Sequence, residues 1–226
     1  MSLATDIALP GAALTPEALR RVRRALTALG VLSTGSMVGV AFSLYLVNHW
    51  PLLLIALSPI GRHLVLVAPI VDPIAFLFVA VGRRMLFYRA SYGLGSALGV
   101  AGIAWIEQRA SYFAYLARFV RWLERLFARA PRLVVLVMSG PTICALAGIS
   151  GMRQAVFLPL AATSLLVRML AILGFAELVR EPIEAALAWI DAYWKPGTAL
   201  MVVGVLIFQW VRIRRARRPK GAVTDV

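Results

Sequence analysis

A chain of 226 residues that is 61% hydrophobic, with a mean hydropathy of +0.83, has more apolar surface than a soluble domain of this length can bury. Its formal net charge of +14 invites a nucleic-acid reading, but the basic residues stand in blocks beside long apolar runs, as the positive-inside rule describes, and that excludes it. The only cysteine, Cys144, allows no intrachain disulfide and no multi-cysteine metal site, and nothing in the sequence calls for a cofactor.

Residues 1–19 carry Asp6, Pro10 and Glu17 and lack the basic start and short apolar core of a cleaved signal, so the N-terminus is expected to be retained. Thr15-Pro16-Glu17 predicts a helix start, with a hydroxyl cap, proline at the first helical position and an acid in the first turn. Arg20, Arg21, Arg23 and Arg24 follow, and residues 1–24 form a basic segment ahead of a single membrane domain over 25–211. The first span is expected over 25–47, close to the roughly 20 residues that cross about 30 Å of hydrocarbon, with Tyr45 and Trp50 at its far interface.

Residues 51–82 are apolar throughout but are cut at Pro59, Gly61, Pro69 and Pro73, with Arg62, His63 and Asp72 at the cuts. Each proline removes a backbone donor and clashes one turn back, which predicts two short half-helices that dip in and return. A crossing helix is expected over 85–106, where Gly93, Gly95, Gly99 and Gly102 allow close approach of a neighbour. Over 107–132, Arg118, Arg121, Arg125, Arg129 and Arg132 recur every three or four residues among Phe119, Leu123, Leu126 and Phe127, the pattern of an interfacial amphipathic helix. The run 133–152 is apolar again and is broken at Gly140-Pro141 and at Gly148. A third crossing is expected over 154–175 despite Pro159 and Arg168. A short acidic segment holds Glu177, Glu181, Glu184 and Asp191, the last span covers 197–211, and a basic tail covers 212–226.

With a cytoplasmic N-terminus, four crossings place Arg20 to Arg24, the 107–132 helix and the tail inside, and the acidic segment outside. The first broken segment then enters from outside and the second from inside, each followed by a crossing helix. Two such units in opposite sense form an inverted repeat. Irregular backbone is tolerated at membrane depth only where it is buried in protein or lines a polar cavity, so the two broken segments are expected to shelter each other. The expected fold is therefore an all-α polytopic membrane protein of about four transmembrane helices, two opposed re-entrant helical hairpins and one interfacial helix.

Four residues stand out as transport or lipid-binding candidates. Asp72 is the only acid between Glu17 and Glu107, and an ionisable group inside a membrane is a functional candidate, though Asp-Pro is also an ordinary N-cap. Arg168 lies about 20 Å along its helix, where an arginine costs about 2.5–3.5 kcal/mol. Its partner is a lipid phosphate, Asp72 or a group of carbonyls, unless it snorkels to the interface. Arg62 and His63 offer a phosphate ligand and a group titrating near neutrality, or a polar loop tip.

The stretch "SGPTICALAGISGMRQAVFLPLAATSLLVRMLAILGF" resembles the signature of the DedA family, also called the SNARE-associated or VTT-domain family. The resemblance rests on Pro141, Ala147-Gly148, Met152, Phe157 and Leu173-Gly174. Upstream, "YGLGSALG" is similar to a second element of that family through Tyr92, Leu94, Gly95 and Gly99, with Ser96 where the family usually carries arginine. The resemblance covers roughly 51–210. It implies a multi-pass bacterial cell-membrane protein with both termini in the cytoplasm, which moves a polyprenyl phosphate or a phospholipid between leaflets, with proton coupling as a candidate driving force. Its partners would be membrane lipids with anionic head groups, and its glycine-rich faces permit a homodimer. A membrane enzyme acting on lipid and a non-transporting scaffold are the other readings. No Ser/His/Asp or paired-carboxylate arrangement can be assembled from motif spacing for the enzyme.

Overall fold

Proline sets where this chain's helices begin. The computed structural model of the protein describes residues 16–110, 125–127 and 129–217. Those residues are helical almost throughout and contain no strand. Most of the expected interfacial helix over 107–132 lies outside the described residues, as do 1–15 and 218–226.

Helix α1 spans Pro16–Ala41 and opens at the expected proline with Glu17 in its first turn. Residues 16–24 of the basic segment and most of the first span are thus one helix, because arginine is a good helix former and nothing between them breaks the backbone. Phe42 interrupts it, yet the hydrogen bonds Phe42 N–H to Val38 O and Leu46 N–H to Phe42 O carry the ladder into α2, Ser43–His49. Trp50 leaves helical geometry, and Pro51 starts α3, Pro51–Leu57. Ser58 breaks the chain again before α4, Gly61–Val67, which runs on as a 3₁₀ turn over Ala68–Ile70. Helix α5 spans Pro73–Ala110, α6 Pro131–Met138, α7 Pro141–Ile149, α8 Gln154–Leu178 and α9 Arg180–Arg217. Helices α1, α3, α5, α6 and α7 all start on proline. At that position the missing N–H is no loss and the fixed φ already suits a helix.

Among the described residues, three helices are long and apolar enough to cross a membrane: α1, α8 and the stretch Arg180–Val211 of α9. None of the crossing window in α9 is buried, and Leu200, Leu206 and Phe208 stand open on it, so that surface needs apolar surroundings. Two boundaries differ from the sequence reading. Helix α5 starts at Pro73, not near residue 85, and runs through Arg83, Arg84 and Arg89. Helix α9 likewise runs through Glu181, Glu184 and Asp191 into the last span. Charged residues of good helix propensity do not by themselves end a helix, and α9 continues even through Pro196 and Gly197. Inside α5 the only non-helical residue is Gly99, at φ 55° and ψ −148°, a conformation open to glycine alone.

Contacts gather the chain into two compact units, residues 1–33 with 77–171 and residues 34–76 with 172–226. In the first, Tyr88, Tyr92, Val135, Cys144, Ala147, Phe157 and Leu165 form one buried cluster, with Tyr92 stacked on Phe157 at 4.6 Å between ring centroids. Lipid tails are as apolar as leucine, so close packing must hold such helices together. Here α5 crosses α7 backbone against backbone. A Cβ on Gly95 would stand 2.8 Å from the Ala145 carbonyl carbon, and one on Gly148 would stand 2.6 Å from the Ser96 nitrogen. The Tyr92 hydroxyl donates to the Met152 carbonyl just beyond α7.

In the second unit, α2 packs on α3, α4 and α9 around Leu46, Val47, Leu54, Ile55, Leu64 and Val67. Gly39 of α1 admits the end of α3, since a Cβ there would stand 2.7 Å from the Ser58 Cβ. Asn48 donates to Asp191 Oδ1 at 3.0 Å, and His49 stacks on Tyr45 at 4.5 Å beside Trp194.

Candidate functional site

Each interrupted apolar run exposes a carbonyl that side chains then engage. At the second break, α6 ends at Met138, Ser139 leaves helical geometry, Gly140 is extended, and α7 starts at Pro141. The Ser139 carbonyl accepts from the Tyr88 hydroxyl at 3.0 Å and from Arg168 Nη1 at 3.1 Å. Its hydroxyl lies 2.7 Å from the Ser164 hydroxyl, and both serines are buried. Arg84, one turn before Tyr88, lies beside the phenol oxygen and within electrostatic reach of Arg168. A cation on the last carbonyls of a helix also meets the negative end of its dipole. Of the partners considered for Arg168, the structure supplies a backbone carbonyl.

At the first break, α3 ends at Leu57 and Ser58-Pro59-Ile60 lead into α4. His63 is buried, and its Nδ1 lies 3.0 Å from the Ser58 carbonyl. A carbonyl only accepts, so Nδ1 carries the proton. The Ser36 hydroxyl of α1 donates to the Leu57 carbonyl at 3.1 Å. The Ser58 hydroxyl is itself buried with no hydrogen-bond partner among the described residues.

The remaining candidates sit elsewhere. Arg62 is exposed in the first turn of α4. Asp72 is also exposed, and its Oδ1 accepts the Ala75 N–H at 2.9 Å, the N-cap of α5 with Pro73 at the first helical position. Pro59, Pro69, Pro73, Gly140 and Pro141 fall at helix ends or in the 3₁₀ turn, and Gly61 is the first residue of α4. Gly148 is a correction. It is helical within α7 and breaks nothing; it lacks a side chain because the Tyr92 carbonyl and the Ser96 nitrogen occupy that space. The turn that follows α7 falls at Gly151, φ 71°.

Arg84, Tyr88, Ser139 and Ser164 were not singled out from the sequence. The available signals were the four-residue spacing of Arg84 and Tyr88 on one helix face, and the Ser-Gly-Pro that leaves a helix-terminal carbonyl without a following N–H. Among the described residues no group of three or more His, Cys, Asp or Glu is placed to hold a metal ion. Compared with models of protein families, with curated proteins and with solved structures, the chain matches none. What the fold defines is a class: an all-helical protein whose longest apolar helices suit a membrane.

Proposed function

We propose that this chain is an integral membrane lipid translocator of the DedA type, moving an anionic lipid, a polyprenyl phosphate or a phospholipid, between leaflets. In this reading α1, α5, α8 and α9 are the four crossings. Helices α3–α4 and α6–α7 are two re-entrant hairpins entering from opposite faces as an inverted repeat. Both termini are cytoplasmic in a bacterial cell membrane, and a proton-coupled cycle would use His63 as its titrating group.

The observation that carries the reading is Arg168. An arginine inside hydrocarbon costs about 2.5–3.5 kcal/mol, while one charge-assisted hydrogen bond to a carbonyl returns about 1.5–3 kcal/mol. The carbonyl carries no formal charge, and Arg168 has no ion pair among the described residues. The guanidinium therefore keeps donors and a positive charge for a phosphate arriving at the break. The test is exchange of fluorescent phosphatidylglycerol in proteoliposomes, read by dithionite quenching. Exchange faster than in protein-free vesicles, and slowed by R168M, is expected. Equal rates with and without protein would remove the transport reading.

A further inference from the structure

The unit built from residues 1–33 and 77–171 holds a second basic feature, away from the Ser139 break. Helices α1 and α5 face each other across a groove of about 650 Å³, lined by Arg21, Arg24, Val31, Leu86, Arg89 and Gly93 among others. Arg83 Nη2 donates to the Leu32 carbonyl at 2.6 Å and ties the two helices at one end. Arg21 and Arg24 stand on α1 two to three turns from that tie, and Arg89 contributes a third guanidinium from α5. Among the described residues no acid lines the groove. Glu17 meets Arg21 at 3.9 Å, but both are largely exposed, and such a pair is worth little.

We propose that this groove is a docking site for one anionic glycerophospholipid, its phosphate held by Arg21, Arg24 and Arg89 and its first acyl carbons lying along Val31 and Leu86. Charge complementarity selects an anion, and arginine's planar fork suits a phosphate. The apolar end selects a lipid over a free phosphate: Val31 is 66% and Leu86 57% exposed, and α1 is apolar enough to cross a membrane. Gly93 keeps the space open, since nothing lies within 4 Å of where its Cβ would be. The site does not depend on transport. It gives the protein a resident lipid at the basic end of α1, whether or not lipid moves at the helix breaks.

The test is native mass spectrometry of the purified full chain titrated with phosphatidylglycerol or phosphatidylcholine. Two variants address the groove: R24Q/R89Q removes charge, and G93L fills the space while leaving every charge in place. The double variant R20Q/R23Q removes equal charge from the same helix outside the groove. Wild type should retain phosphatidylglycerol at least about tenfold better than phosphatidylcholine, and each groove variant should lose about tenfold in phosphatidylglycerol retention, with R20Q/R23Q within about twofold of wild type. Equal retention of the two lipids, unchanged retention in either groove variant, or an equal fall in R20Q/R23Q would overturn the proposal. Lipid exchange in proteoliposomes is scored separately, so loss of docking and loss of transport are distinguishable.

Discussion

Substituting Gly148 with alanine tests the packing that holds the second broken segment in place. The new Cβ would stand 2.6 Å from the Ser96 nitrogen and 3.1 Å from the Gly95 carbonyl carbon, with the Tyr92 carbonyl oxygen nearer still. Ordinary contact starts at 3.4 Å, so the shortfall against Ser96 alone is about 0.8 Å, and the atoms in the way are backbone rather than a side-chain end that can swing aside. Helices α5 and α7 must part, loosening the Tyr92–Phe157 stack and the Tyr92–Met152 hydrogen bond. Overpacking of this kind costs about 1–3 kcal/mol. Unfolding in mixed micelles by increasing SDS fraction, followed by circular dichroism, reads the loss directly. Gly93→Ala and Gly204→Ala are the controls, because nothing lies within 4 Å of either Cβ position; they should be neutral or gain up to about 1 kcal/mol of helix propensity. Gly95→Ala strikes the same crossing, so the double variant G95A/G148A should cost less than the two singles summed. If G148A unfolds at the wild-type SDS fraction, α5 and α7 are not in backbone contact.

Asp72→Ala should cost about 1 kcal/mol through the lost N-cap in the same unfolding titration, whereas Asp72→Asn, which caps equally well, should keep both stability and lipid exchange; exchange abolished in a stable D72N would show that the carboxylate's charge is needed. Tyr88→Phe removes one of two donors on the Ser139 carbonyl, and in lipid such a bond is worth about 0.6 and at most about 1.7 kcal/mol, so a mild loss is expected where a larger one would mean the break depends on the phenol. Ser58→Ala deletes a buried hydroxyl without a partner among the described residues, and the variant should be as stable as wild type or gain about 1 kcal/mol; a clear loss would reveal a partner for that hydroxyl.

Much of the helix punctuation is legible because proline acts locally. Pro16, Pro51, Pro73 and Pro141 each start a helix, and Asp72-Pro73 reads correctly as a cap. What the sequence hides is where charge is tolerated. Arg83 and Arg84 fall between the first broken segment and the crossing expected from residue 85, yet they lie within α5, where Arg83 reaches the Leu32 carbonyl and Arg84 the Tyr88 hydroxyl. Those partners are distant in sequence or on the same helix face, and composition does not reveal them. Glycine shows the same limit. Gly93, Gly95, Gly99 and Gly102 look equivalent, but Gly95 touches α7, Gly99 takes a positive φ and Gly93 borders open space. Only the tertiary arrangement separates those roles. Arg168 needs a partner by its position in the sequence; that the partner is the Ser139 carbonyl follows from the backbone leaving helical geometry at Ser139-Gly140.

In the proposed topology each of the two interrupted stretches returns to the face it came from. Single cysteines at Trp50 and Ile70 flank the first, and single cysteines at Arg132 and Arg153 flank the second; all four positions are exposed, while native Cys144 is buried and should stay silent. Labelling with a membrane-impermeant maleimide in intact cells and in inverted vesicles should show the first pair reacting only from outside and the second only from the cytoplasm. A pair whose two members react from opposite faces would make that stretch an ordinary crossing and contradict the account.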